Sequence, residues 1–208
     1  MPFLLFLVQT VIISLSGVMA PGPITAVTVG TGTKSPHAGV LVALGHGIVE
    51  FPLMLFIFFG LGFVLSLGYV RMAIFSLGGL FLLLMGADML RSLKRSAVTP
   101  GAANRTDKPL VAGILLSMGN AYFLIWWATV GATLISKAVA FGFAGLLAFA
   151  LVHWLCDVVW LYVLSAVSFK GGNLLGVRFQ QVVFGVCGVF LIVFGIKFIS
   201  DAVKLWNG

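Results

Sequence analysis

Residues 38–55 read AGVLVALGHGIVEFPLML. One acid, Glu50, and one histidine, His46, stand in a stretch otherwise made of apolar residues, glycine and a single proline. About 20 such residues, at ~1.5 Å each, cross the hydrocarbon core of a bilayer. The stretch therefore reads as a membrane-spanning helix that carries two polar groups. The neighbouring sequence repeats the signal, since residues 1–33, 51–70, 72–87, 109–136 and 179–196 hold no Asp, Glu, Lys or Arg. The runs are continuously apolar rather than alternating, which selects helices over a barrel.

Composition agrees. The 208 residues are 61% apolar and 8% charged, with a mean hydropathy of +1.20. A soluble domain carries about 25% charged residues, so this chain lacks the polar surface needed to stay in water. The expected spans are 3–30 (interrupted), 38–66, 69–90, 110–133, 140–168 and 179–200. The N-terminal run has no basic residue ahead of it and is too long for a signal peptide, so it reads as a retained first helix.

The net charge of +7 is explained by topology. Lys34, Arg91, Lys94, Arg95, Arg105, Lys108, Lys170 and Arg178 fall in loops on one side, and Arg71, Lys137, Lys197 and Lys204 on the other. This imbalance places the long 91–109 connection in the cytoplasm and both termini outside. Nucleic acid is not an expected partner. Cys156 and Cys187 lie within apolar runs without flanking prolines. They read as small buried residues rather than a disulfide framework or a thiol electron carrier.

The two halves resemble each other. Aligning span two with span five, with one residue inserted, brings His46 onto His153 and Glu50 onto Asp157. Span three and span six match at Gly79/Gly188, Phe81/Phe190, Leu82/Leu191 and Gly86/Gly195. With three spans per half, the second half must be upside down relative to the first. The expected fold is all-α and integral to the membrane, six transmembrane helices as two inverted-topology three-helix repeats. Residues 1–90 form the first repeat, 91–109 a cytoplasmic loop and 110–208 the second repeat.

Four groups of residues can carry function. Pro21-Gly22-Pro23 removes backbone donors inside an uncharged run, so the first span should break there. Half-helix ends at membrane depth offer N–H and C=O groups to a charged solute, and the break is a candidate gate. His46 and Glu50 share one helix face, as do His153 and Asp157. Acids in lipid are costly and mark function, and the imidazoles can hold or pass a proton near neutral pH. Asn120 either lines a cavity or caps a helix, and Trp126-Trp127 is a cavity wall or an interfacial belt. Two acids and two histidines could also bind a divalent metal, but the spacing of histidine and acid differs from the His-Glu-x-x-His of zinc peptidases, which disfavours membrane proteolysis. The expected protein is not an enzyme and has no catalytic residue, cofactor or resident metal.

Taken together, these residues resemble the lysine-exporter (LysE-type) superfamily of amino-acid efflux transporters. Ala20-Pro21-Gly22-Pro23 is similar to its Pro-Gly-Pro signature, and Gly39 through Gly47 to Glu50 to its second-span glycine pattern ending in an acid. Asn120 falls where the second half usually shows Asn-Pro, and Asp157 with Trp160 where it often shows Gly-Asp and an aromatic. Ala121 replaces the usual proline, and His46 and His153 lie outside the general pattern. The resemblance implies a secondary transporter in the cell membrane, exporting amino acids or similar small solutes by proton coupling. Glu50, Asp157, His46, His153 and Asn120 would serve substrate and protons. Some relatives handle metal cations, so a divalent metal-cation exporter using His46, Glu50, His153 and Asp157 is the alternative. The expected partners are a small-molecule substrate, protons and the lipid bilayer, with a homodimer as a possible assembly.

Overall fold

The computed structural model describes residues 2–61, 63–64, 67–95 and 108–207, and every regular element among them is helical. Helix α1 spans Phe3–Val18 and α2 spans Pro23–Gly32. The two meet at an 81° bend. Pro23 occupies the first position of α2, where its missing N–H costs nothing. Helix α3 spans Ala38–Phe56. It widens over Ile57–Leu61 and ends in a kink at Gly60, whose φ of 83° suits glycine. Helix α4 spans Gly68–Arg95 and α5 spans Pro109–Met118. Helix α6 comprises Ala121–Trp126, a wide turn over Trp127–Gly131, and Ala132–Val139. Helix α7 covers Gly142–Asn207.

Four helices among the described residues are long and apolar enough to cross a membrane: Ala38–Gly60, Gly68–Asp88, Tyr122–Val139 and Gly142–Gly171. The bent pair α1–α2 makes a fifth when taken as one span. The outward faces carry large exposed apolar side chains such as Leu4, Ile12, Ile48, Leu84, Leu155 and Val193. Ser14, Thr28, His46, Glu50, Ser117, His153 and Asp157 are buried. Polar inside and apolar outside is the arrangement a bilayer imposes, and the chain is a multi-pass membrane protein.

Three expectations need revision. The fourth span, expected over 110–133 with a weaker break than the first because Ala121 stands where proline is usual, is fully divided. Asn120 adopts an extended backbone and accepts the Phe123 N–H on its side-chain oxygen at 3.3 Å, starting a new helix. The third helix runs on to Arg95 rather than ending at 90, and the remainder of the connection, 96–107, lies outside the described residues. Residues 169–178, expected as a loop, are helical within α7. A straight helix would hold Leu161 and Phe190 ~43 Å apart, yet both line one cavity. Helix α7 therefore folds back between them into two arms.

Glycines set how closely these helices pack. A Cβ on Gly39 would overlap the Leu161 carbonyl, one on Gly45 the Leu110 carbonyl, and one on Gly113 the Val42 carbonyl. Helix α3 is thus clamped between α5 and the first arm of α7, which fixes where His46 and Glu50 point. Gly45→Val should cost at least about 2 kcal/mol, because the clash is with backbone and cannot relax by rotamer change. The expected result is loss of the monodisperse species in detergent and a lower melting midpoint. An unchanged midpoint would contradict the packing.

Helix α4 and the second arm of α7 make a matching contact. A Cβ on Gly79 would stand 3.0 Å from the Gly195 carbonyl oxygen, and one on Gly195 3.0 Å from that of Gly79. Gly86 and Gly188 face each other in the same way, at 2.8 and 3.2 Å. Small residues at such a seam let two helices approach closely where lipid gives no hydrophobic drive.

Candidate functional site

The two helix breaks open on one cavity. Residues 20–25 form one wall, Asn120 with Tyr122 and Phe123 another, and Phe190, Leu191 and Phe194 a third. His46, Glu50, His153 and Asp157 stand together on its inner face. All four are buried, with Glu50 only 1% exposed. The paired faces read from spans two and five therefore converge, and both breaks reach the same space.

Glu50 sits at the centre of the group. Its Oε1 lies 3.1 Å from His153 Nε2 and 3.3 Å from His46 Nε2. Asp157 is one step further out, with Oδ1 3.9 Å from His46 Nε2 and Oδ2 3.8 Å from His153 Nε2. Glu50 Oε2 and Asp157 Oδ2 are buried without a hydrogen-bond partner among the described residues. Unpaired carboxylate oxygens away from water are expensive, and two of them beside a cavity form a ready acceptor for a cationic group or a proton.

Each imidazole is held from behind by a serine on a broken helix of the opposite half. His46 Nδ1 lies 2.6 Å from Ser117 Oγ in α5, and His153 Nδ1 lies 2.7 Å from Ser14 Oγ in α1. Ser117 donates its hydroxyl proton to the Gly113 carbonyl at 2.5 Å. Its oxygen can then only accept, so His46 Nδ1 carries a proton. These serines were not legible in the sequence. Nothing separates them from the many serines that bond back to the preceding helical turn, as Ser117 also does.

Aromatic rings wall the group off from lipid. Trp126 stacks on His153 with centroids 5.2 Å apart, Trp127 meets it edge-on at 5.1 Å, and Phe123 meets His46 edge-on at 4.9 Å. Trp127 is fully buried. The tryptophan pair is therefore a wall of the cavity rather than an interfacial belt. Asn120 combines both roles considered for it, capping α6 and lining the cavity. Cys156 is buried and donates to the Val152 carbonyl, whereas the Cys187 side chain lies outside those described.

The break in the first span exposes backbone amides to the cavity. Pro23 has no N–H, and the first bond into α2 runs from Ala26 N to Gly22 O. The Ile24 and Thr25 amides, in the cavity wall, precede that bond and have no partner within the helix. A helix N-terminus of this kind attracts an anion or carboxylate.

Comparison with known proteins gives the same direction. The putative amino acid efflux protein YcgF of Bacillus subtilis (strain 168) is similar, at 24% identity over 199 residues covering 93% of this chain and 95% of the relative. No solved structure matches the chain. Residues 15–202 match the LysE type translocator family. The chain belongs to that family, whose members are secondary transporters of small solutes across a membrane and not enzymes.

Proposed function

We propose that this translocator exports amino acids, preferring those with apolar side chains, in exchange for protons. The observation that carries the reading is the buried His46–Glu50–His153–Asp157 group beside the cavity on which both broken spans open. A zwitterion suits the two ends of this space. Its carboxylate would meet the Ile24 and Thr25 amides at the start of α2, and its ammonium would meet the free oxygens of Glu50 and Asp157. Its side chain would lie against Leu82, Leu191, Phe190 and Phe194, a wall with no charge to pair with a lysine ammonium.

Contacts support two inverted repeats, 1–90 and 110–208; the 91–109 connection between them, helical as far as Arg95, would lie in the cytoplasm by its basic residues. Exchanging His46 with His153 and Glu50 with Asp157 maps the His153–Glu50 contact at 3.1 Å onto the His46–Asp157 contact at 3.9 Å. Exchanging Gly79 with Gly188 and Gly86 with Gly195 maps the Gly79–Gly195 contact onto the Gly86–Gly188 contact. The sixth span is then the second arm of α7. Rocking one repeat against the other would open the central site to either side in turn.

Protons enter the cycle at the same group. His46 Nδ1–H is committed to Ser117, so a neutral His46 would set its Nε2 lone pair against Glu50 Oε1 at 3.3 Å. A proton between them removes the repulsion, and an arriving ammonium would compete with that proton for Glu50. Export of one solute would release the group for reprotonation from outside.

The test uses proteoliposomes loaded with labelled amino acids and an imposed proton gradient. Leucine or phenylalanine should leave at least ~10-fold faster than lysine, a difference of about 1.4 kcal/mol at the barrier. Faster lysine efflux would overturn the side-chain preference, and no efflux of any amino acid would overturn the reading. Export of a bare divalent cation through the same four ligands is the second reading. It is ranked lower because it leaves the α2 amides and the aromatic wall without a role.

A further inference from the structure

The four central side chains bring nitrogen and oxygen donors together in the outline of a coordination shell. His46 is fixed with Nδ1–H toward Ser117, because the serine proton is already given to Gly113. Its Nε2 is the nitrogen left for the centre. His153 offers Nε2 in the same direction, and the Ser14 hydroxyl behind it can turn to accept from Nδ1–H. Both carboxylates point inward, each with one buried oxygen that nothing among the described residues satisfies.

We propose that His46, Glu50, His153 and Asp157 together bind one divalent transition-metal ion of the zinc type, through both Nε2 atoms and one oxygen from each carboxylate. Ligand bonds of about 2.0–2.2 Å at tetrahedral angles place neighbouring donor atoms ~3.3–3.6 Å apart. Glu50 Oε1 lies 3.1 Å from His153 Nε2 and 3.3 Å from His46 Nε2, close to that spacing, while Asp157 reaches His46 through Oδ1 at 3.9 Å and His153 through Oδ2 at 3.8 Å. The His46, Glu50 and Asp157 donors all lie within 4.8 Å of one another. Turning the Asp157 carboxylate so that one oxygen faces both imidazoles, with His153 moving in toward the other three, would close the shell.

The surroundings match what a metal-bound imidazole needs. Its outer N–H is held by a fixed acceptor, which orients the ring and keeps the inner nitrogen free. Here Ser117 and Ser14 take that place. The donors are nitrogen and oxygen only, because Cys156 directs its thiol to the Val152 carbonyl. Imidazole with carboxylate suits zinc and its neighbours rather than soft ions that favour thiolates. The ion would occupy the place of the transported proton, so it should block efflux. That consequence rests on the proposed function, whereas binding itself does not.

The experiment uses the purified full chain in detergent, stripped with a chelator and titrated with zinc chloride alone by calorimetry. One ion per chain is expected, with a raised melting midpoint. Cobalt in its place should give the intense visible bands of a four-coordinate ion. His46→Gln and His153→Gln should each lower zinc affinity by more than ~100-fold, and Ser117→Ala by ~10-fold or more. His37→Gln, at an imidazole outside the group that stacks on Tyr162, should bind as wild type does. No zinc binding to folded wild type, or undiminished binding by both histidine variants, would overturn the site. Zinc binding together with wild-type efflux by Glu50→Gln would leave the site standing and sink the transport reading. Absent binding with abolished efflux would do the reverse.

Discussion

Glu50→Gln is expected to fold, insert and lose proton-driven efflux by on the order of 100-fold or more, about 2.7 kcal/mol at the barrier. The substitution keeps the volume and an oxygen that can still accept from His153 Nε2, now 3.1 Å from Oε1. It removes the charge that His46 and His153 share. A transporter that exchanges solute for proton at this carboxylate then has nothing to protonate. Asp157→Asn should act in the same direction, since Asp157 faces both imidazoles from the other helix. Glu50→Ala is a poorer probe. It strips one partner from a buried group, which costs ~3–5 kcal/mol and confuses folding with function. The measurement is initial efflux of labelled leucine from proteoliposomes at equal protein content, with melting midpoints to confirm folding. Wild-type efflux from both Gln and Asn variants would remove the acids from the mechanism.

The second large effect is expected at the first break. Pro21→Ala with Pro23→Ala restores two amide donors in a chain segment that otherwise bends by 81° between α1 and α2. Each proline removed from a potential helix interior recovers ~3 kcal/mol of helix preference. The segment should straighten toward one helix over residues 3–32, and the Ile24 and Thr25 amides would become intrahelical donors. Solute affinity should fall at least ~10-fold, since a charge-assisted bond contributes about 1.5–3 kcal/mol. Binding of labelled leucine to the purified variant reads this directly. Unchanged affinity would show that the α2 terminus does not hold the carboxylate.

The legible and illegible parts of this molecule differ for physical reasons. Charged and imidazole side chains are so costly in lipid that Glu50, Asp157, His46 and His153 stood out against their apolar runs, and their i, i+4 spacing fixed them to faces. That those faces meet follows from glycine packing at Gly39 and Gly45, which the sequence hinted at but could not pair with specific carbonyls. Pro21 and Pro23 announced their break because proline removes a donor wherever it sits. The break at Asn120 was harder to read, because Ala121 favours helix continuation and only the tertiary setting makes the Asn120 cap prevail. Ser14 and Ser117 carried no signal at all. A hydroxyl becomes a histidine's support only when two distant helices place it there, 139 and 71 residues away in sequence. The helical 169–178 stretch was misread because Lys170 and Arg178 looked like loop markers, whereas charged residues are equally at home on a helix that has left the apolar core.

The coupling of solute to protons at the central group is tested most directly by watching the protons themselves. Vesicles holding the purified protein and a trapped pH-sensitive dye would be given a leucine gradient and no proton gradient. In wild type, outward leucine flow should drive protons inward, and the dye should report acidification that a protonophore abolishes. Asp157→Asn should give no such signal. Leucine efflux by wild type without any proton movement would contradict the exchange mechanism built on Glu50 and Asp157.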